Sequence, residues 1–298
     1  MVKTVIVQSV LTDDELKKLQ GHKLPRDYFK IVFNQDVDVY TVDGKLLLRF
    51  RKNVINSDKI NMAYDNMIQF ARKYTTTRGI ASGNPEKPKI TGMNDKIMSN
   101  IMGYFDTTSI SQKSVLKKAQ MPIPNCRETS FTGKFPDKWN NVVPLIKEID
   151  TQYKLLCPNE HYLQLSETMK TKFQIANTSF TTITTNLNLQ TAVHTDKGDF
   201  KDGFGNLIVI ERGKYSGGYT GFPQYGIGVD VRQGDFLAMD VHQFHGNEPI
   251  NGESDDYERL SIVSYMREGI IKKCQSEEIV GEEYFELVRE MVNELRNS

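Results

Sequence analysis

Cysteine is scarce in this chain of 298 residues: there are three, Cys126, Cys157 and Cys274. Odd in number and widely spaced, they suggest no disulfide framework and no C-x-x-C metal pair, and they fit a reducing compartment. Long apolar runs are missing as well. The N-terminal M-V-K-T-V-I-V-Q-S-V is too short for a signal peptide. No later stretch approaches the ~20 apolar residues of a membrane-spanning helix. The expected setting is cytoplasmic or nuclear, with no membrane partner. Excess charge is the third absence: Lys plus Arg and Asp plus Glu are both 38. Neutrality gives no support to a globally basic nucleic-acid binder. No internal repeat or low-complexity tail is visible.

What is present looks like an ordinary folded protein, 38% hydrophobic and 26% charged. The neutral total hides a local imbalance. From Arg72 to Lys138 there are twelve Lys/Arg against five Asp/Glu; from Glu253 to Ser298 there are six against twelve. Such stretches usually form solvated faces of opposite sign. The basic one nevertheless leaves phosphate tracking open.

The first half reads as mixed α/β. Val2–Val10 alternates and is β-branched, so it predicts a strand. Thr12-Asp13-Asp14-Glu15 is a capping box opening a short helix. Val37–Thr41 and Lys45–Lys52, joined through Val42-Asp43-Gly44, predict a hairpin with Leu46, Leu48 and Phe50 on one face. Ser57 is expected to cap a helix carrying Ile60, Met67, Ile68 and Ala71. Thr75–Ile90 holds two glycines and two prolines and reads as a functional loop, with Arg78 as a candidate substrate contact. Helices are expected after Asn94 (Ile97, Ile101, Met102) and over Pro144–Leu156, with Pro144 in its first turn.

From Lys172 the pattern is β. Phe173–Leu189, Asn206–Glu211, Val229–Arg232, Phe236–Asp240 and Leu260–Met266 are separated by glycine-bearing turns, and an amphipathic helix follows from Glu277. Short strands with regular turns predict a double-stranded β-helix, or jelly roll. The expected class is α+β: a mixed N-terminal layer over residues 1–165 packs on a catalytic core over 166–298.

Within that core, His194 and Asp196 stand two apart in T-A-V-H-T-D, a spacing that puts both side chains on one strand face. A His-x-Asp pair alone is weak, and a single strand histidine is more often a core or surface residue. Three further features follow in order. A glycine-rich loop runs from Gly198 to Gly205. Gly234-Asp235 opens an apolar strand leading to His242 and His245. Arg259 and Ser261 then share a strand face. Two histidines and a carboxylate with an open coordination face point to a non-haem Fe(II) oxygenase. The third ligand is His242 or His245, and the Gly246 and Pro249 that follow favour His245. Arg259, with Ser261 adding a hydrogen bond, suits the distal carboxylate of 2-oxoglutarate. Asn186 and Asn188, one strand upstream, are candidates for the near carboxylate or the substrate. The implied cosubstrates are 2-oxoglutarate and O2, consumed in hydroxylation of a substrate C–H with release of succinate and CO2.

The runs T-T-I-T-T-N-L-N-L-Q-T-A-V-H-T-D-K-G-D, G-G-Y-T-G-F-P-Q-Y-G and G-D-F-L-A-M-D-V-H-Q-F-H-G resemble the TET/JBP-type 2-oxoglutarate oxygenase domain. T-T-R-G-I-A-S-G resembles a segment upstream of the core in that group. The resemblance covers roughly Thr75 to Gly269. It implies a double-stranded β-helix with iron at His194, Asp196 and His245, and 2-oxoglutarate on Arg259. It also implies oxidation of the methyl group of a 5-methylpyrimidine in DNA after base flipping. A free amino acid or a cationic protein side chain is the second substrate class, which the acidic stretch Glu253–Glu258 would suit. A cupin-like binding protein without redox chemistry is the third reading; the Arg259–Ser261 pair argues against it.

Overall fold

The computed structural model describes residues 2–75, 79–83, 96–108, 110–254, 256–275 and 277–297. Strand β1 (Lys3–Val7) leads into α1 (Asp13–Leu19), whose N-cap Thr12 exchanges both capping-box hydrogen bonds with Glu15. After β2 (Ile31–Phe33) come β3 (Val37–Thr41) and β4 (Leu46–Arg51), the expected hairpin. Its cross-strand pairs Val39–Leu48 and Val37–Phe50 are almost fully buried. Helix α2 (Ser57–Ala71) buries Ile60, Met67, Ile68 and Ala71 as the sequence predicts, but its cap is Asn56, one residue earlier.

Three elements depart from expectation. The residues around Ile101 and Met102 form strand β5 (Ser99–Phe105) rather than a helix. Apolar residues at Ile97, Ile101 and Met102 suit a helix, but pairing with a neighbouring strand satisfies this backbone instead. The Asn94 cap lies outside the described residues. Past α3 (Ile110–Lys118), β6 (Arg127–Glu128) and α4 (Ser130–Lys134), helix α5 (Pro136–Leu156) starts a full two turns before the expected Pro144. Pro136 occupies its first turn and Pro144 sits inside it. Trp139, Val142, Ile146, Ile149 and Tyr153 recur at steps of three and four and are buried, and that stripe outweighs the one hydrogen bond Pro144 cannot donate. Helix α6 (Pro158–Thr168) then leads to β7 (Thr182–Leu187), much shorter than Phe173–Leu189. Ala176 and Asn177 turn the chain at φ 46° and 64° before it.

The remaining strands are β8 (Gly205–Arg212), β9 (Tyr215–Gly217), β10 (Thr220–Phe222), β11 (Ile227–Val229), β12 (Phe236–Met239), β13 (Gly246–Asn247), β14 (Ile250–Gly252) and β15 (Glu258–Tyr265). Helices α7 (Glu268–Cys274) and α8 (Glu282–Asn297) close the chain. The large sheet runs β1-β3-β4-β12-β8-β15-β7-β5-β6, and a smaller one runs β13-β10-β11-β2. One face of the large sheet packs against α2 and α5 through Ile60, Met67, Val142 and Ile149. The other meets the small sheet through Leu207, Val209, Phe222, Val229, Leu237 and Met239. This is the jelly-roll core with helices on one side. The 1–165 stretch supplies strands to both sheets, so it is continuous with the 166–298 stretch.

The two stretches of opposite charge meet. Helix α3 packs on α8 through Leu116, Phe285 and Val288, and Lys134 pairs with Glu286 at 3.5 Å. The cysteine expectation is corrected: Cys126 and Cys274, 148 residues apart, form a disulfide across a buried cluster with Phe173, Met266 and Ile270. Tertiary packing brings their Cα atoms to 6.3 Å, and sequence spacing carries no sign of it. The cysteine argument for a reducing compartment falls with it. Among the described residues no helix is long and apolar enough to cross a membrane.

The packing predicts that Phe50→Ala, which empties a fully buried site in the hairpin, lowers the unfolding free energy by about 3–5 kcal/mol. Val42→Ala, at an exposed position two residues from β4's partner strand, is expected to change it by less than about 0.5 kcal/mol. Urea denaturation of the two variants measures both.

Candidate active site

Past β7 the chain leaves the large sheet and passes beneath β13. His194 and His245 meet there in an isolated antiparallel bridge, each backbone N–H donating to the other's carbonyl at 2.9 Å. The rings stand 4.4 Å apart, centroid to centroid. The backbone N–H of Asp196 donates to the Val241 carbonyl at 3.0 Å, which turns its carboxylate toward both histidines. Asp196 Oδ1 lies 3.4 Å from His194 Nε2 and Oδ2 lies 3.6 Å from His245 Nε2. One ligand atom from each of the three lies within 4.8 Å of the others. Three ligands each about 2.0–2.2 Å from a common ion stand roughly 3–3.5 Å apart, so the spacing suits a single metal.

The ring orientation is held from behind. His194 Nδ1 is 2.8 Å from the Ala192 carbonyl and His245 Nδ1 is 3.0 Å from the Gln243 carbonyl. A carbonyl can only accept, so each Nδ1 carries the proton and each Nε2 keeps its lone pair facing the cluster. Burial, reinforced by the neighbouring His194, pushes the His245 pKa down to about 4. His245 is therefore neutral near pH 7, the form a metal requires. His242 is elsewhere: its Nε2 is 3.0 Å from the Phe200 carbonyl, outside the cluster. Of the two candidates for third partner, the fold gathers His245.

Arg259, Ser261, Val263 and Tyr265 alternate along one face of β15 and line the same cavity as the cluster, a space of about 440 Å3. Arg259 is 4% exposed, yet its Nε and Nη2 have no hydrogen-bond partner. Burial depresses its pKa. A buried guanidinium with idle donors is costly, and the chemistry that would relieve it is a carboxylate. Room for the side chain comes from Gly218, where an added Cβ would stand 3.0 Å from Arg259 Nε. Ser261, also buried, donates to the Asn186 carbonyl at 3.4 Å.

The two asparagines part company. Asn186 lines the cavity, with its Oδ1 accepting from the Ser99 hydroxyl at 2.6 Å. Asn188 is not among the lining residues. Its Nδ2 donates to the Tyr257 carbonyl at 3.0 Å and its Oδ1 accepts from the Arg259 N–H at 2.7 Å, so both ends serve the backbone. It acts on the cavity only by seating Arg259. Arg78 lies outside the described residues; Gly79, Ile80 and Ala81, just beyond it, line the cavity.

Sequence reasoning passed over several lining residues. Arg267 continues the β15 alternation beyond Tyr265 and is held by Asp106 at 3.0 Å; counting on by two from Arg259 would have found it. Asn247 accepts from the backbone and hydroxyl of Thr191 at 2.7 and 2.6 Å, bracing the strand before His194. Buried Glu248 accepts from the Phe29 N–H at 2.9 Å. Gln190 donates to the Leu24 carbonyl at 2.7 Å, and the Val193 N–H donates to the His22 carbonyl. These contacts strap residues 21–29 across the strands bearing both histidines, and no local motif announces them.

A two-sheet jelly roll that gathers two histidines and one carboxylate at its open end is the architecture of non-haem iron oxygenases. Residues 114–268 match the Tet_JBP family model, described as the oxygenase domain of the 2-oxoglutarate- and iron-dependent dioxygenase superfamily. That match covers just over half of the chain, which belongs to the TET/JBP family and is a 2-oxoglutarate/Fe(II)-dependent dioxygenase. The chain is 34% identical over 181 residues to the bifunctional helicase and thymine dioxygenase JBP2 of Leishmania braziliensis, covering 60% of this chain and 15% of that protein. It is 34% identical over 173 residues to the thymine dioxygenase JBP1 of Trypanosoma brucei brucei, covering 57% and 19%. It thus spans less than a fifth of the length of these relatives. Its fold is similar to that of NgTET1 in complex with 5mC DNA, with a TM-score of 0.54, 12% identity, and coverage of 94% of this chain and 100% of the other.

Asn188→Ala removes two hydrogen bonds to backbone groups and leaves a side chain at φ 50°. It is expected to lower stability by about 1–3 kcal/mol. Asn188→Gly removes only the hydrogen bonds, so it should cost less in the same denaturation experiment.

Proposed function

We propose that this chain hydroxylates the methyl group of a 5-methylpyrimidine base in DNA, with His194, Asp196 and His245 holding Fe(II) and with Arg259 and Ser261 holding 2-oxoglutarate. The observation that carries the reading is the coexistence, in one cavity, of a three-residue ligand cluster and a buried guanidinium that lacks a counter-ion. The family's cosubstrates answer both needs. The substrate class is taken from the thymine dioxygenase relatives.

Bound at the cluster, Fe(II) would couple the reduction of O2 and the decarboxylation of 2-oxoglutarate to the oxidation of a C–H bond. The chain's own residues set the conditions. The Ala192 and Gln243 carbonyls fix both imidazole tautomers, so neither ring must lose a proton before it can ligate. Asp196 supplies the negative charge that balances part of a divalent ion. Arg259 neutralises the distal carboxylate at the far end of the β15 face and so fixes which end of the cosubstrate reaches the cluster. The apolar Leu207, Met239 and Val263 along the cavity exclude water between those ends. A flipped base would enter from the open side, bordered by Gly79–Ala81 and Thr195–Gly198.

The test combines metal and substrate. His194→Ala and His245→Ala are expected to lose stoichiometric Fe(II), while His242→Ala keeps it; iron retained by the His245 variant would overturn the ligand set. Wild-type protein given Fe(II), 2-oxoglutarate and air should add one oxygen to thymine or 5-methylcytosine in an oligonucleotide, read by mass spectrometry of the nucleosides. Succinate formation stimulated by a basic peptide or free arginine, with oligonucleotides inert, would replace the nucleobase with an amino-acid substrate.

A further inference from the structure

Among the buried polar atoms without a partner, three belong to one place: Arg259 Nε, Arg259 Nη2 and the Tyr215 hydroxyl. Tyr215 opens β9, which pairs with β14 in a two-stranded flap, with Tyr215 opposite Gly252 and Gly217 opposite Ile250. Two residues after Tyr215, Gly217 turns at φ 75°, and Gly218 follows at φ 70° against the Arg259 side chain. The double glycine lets the flap close on the guanidinium. The tyrosine ring is pinned from its other side by Arg232, whose guanidinium carbon lies 4.5 Å from the ring centroid.

The flap provides no evident acceptor for that hydroxyl. Glu211 is the acidic group nearby, but Oε1 faces Arg232 at 3.4 Å and Oε2 accepts the Gln233 N–H at 2.9 Å. Arg259 is a neighbour of the hydroxyl, but it has only donors to offer beyond its contact with the phenol oxygen. Burial raises the Tyr215 pKa well beyond its usual value, so the phenol stays protonated and keeps an O–H to donate. Two N–H groups and one O–H, all sealed from water, call for one shared acceptor. A carboxylate offers two oxygens and about four lone-pair positions, enough for all three donors.

We propose that Tyr215 is a cosubstrate-binding residue: its hydroxyl joins Arg259 in holding the distal carboxylate, so that the β9–β14 flap selects 2-oxoacids that carry a second carboxylate. The proposal rests on the reading of Arg259 as the 2-oxoglutarate anchor. Tyr215→Phe keeps the ring on Arg232 and deletes only the donor. Calorimetric titration of the Mn(II)-loaded protein without turnover tests it, using 2-oxoglutarate and 2-oxopentanoate, which has the same carbon chain but no distal carboxylate. Tyr215→Phe is expected to weaken 2-oxoglutarate about tenfold or more while leaving 2-oxopentanoate, Mn(II) affinity and the melting temperature nearly unchanged. In turnover with Fe(II), KM for 2-oxoglutarate should rise with kcat preserved. Equal 2-oxoglutarate affinity in the two proteins, or an equal loss for both acids, overturns the role of Tyr215 and leaves the Arg259 assignment standing. Wild-type protein that binds both acids alike overturns the Arg259 assignment itself, and this proposal with it.

Discussion

Two reciprocal backbone hydrogen bonds between His194 and His245 carry the organisation of this molecule. They join strands 51 residues apart in the chain, and without them the imidazoles would have no common point to face. Much of the surrounding structure maintains that bridge. Asn247 braces the residue before it, Asp196 is tethered to Val241, and the strap over residues 21–29 closes it from outside through Glu248, Gln190 and the His22 carbonyl. A metal site needs its donors placed to within a fraction of an ångström, and side chains on a bare loop cannot supply that.

The second constraint is electrostatic. Burying Arg259 without a carboxylate disfavours the apo fold, and the same penalty becomes binding energy when an anion arrives. The site therefore stores affinity in its own discomfort. The double glycine at Gly217-Gly218 and the asparagine at Asn188 serve this arrangement, one by clearing space beside the guanidinium and the other by seating its backbone. Substrate and cosubstrate ends lie along a single strand face, so the alternation of β15 sets the order of events in space: anchor, apolar sleeve, metal, then Arg267 toward the open side.

Parts of this were legible in the chain. The capping box at Thr12, the β3–β4 hairpin, the buried face of α2 and the short strands after Gly205 follow from local periodicity and turn chemistry, and they came out close to their observed bounds. Misreadings fell where a neighbour distant in sequence decides. Ser99–Phe105 became a strand because β7 was there to pair with it, and Pro144 sits mid-helix because the stripe from Trp139 to Tyr153 had α2 to pack on. Cys126 and Cys274 looked unrelated for the same reason.

By itself the sequence determined the chemistry on offer: a His-x-Asp pair, a later histidine and an Arg-x-Ser at spacings that strand geometry can exploit. It could also rank His245 over His242 from the turn that follows. Only the tertiary structure decided which side chains share a cavity, that Asn188 serves the backbone while Asn186 faces inward, and that the N-terminal strap and Tyr215 belong to the site at all. Spacing along a chain constrains which residues share a local face; convergence across 587 long-range pairs is set by how whole sheets pack, and no short window contains that information.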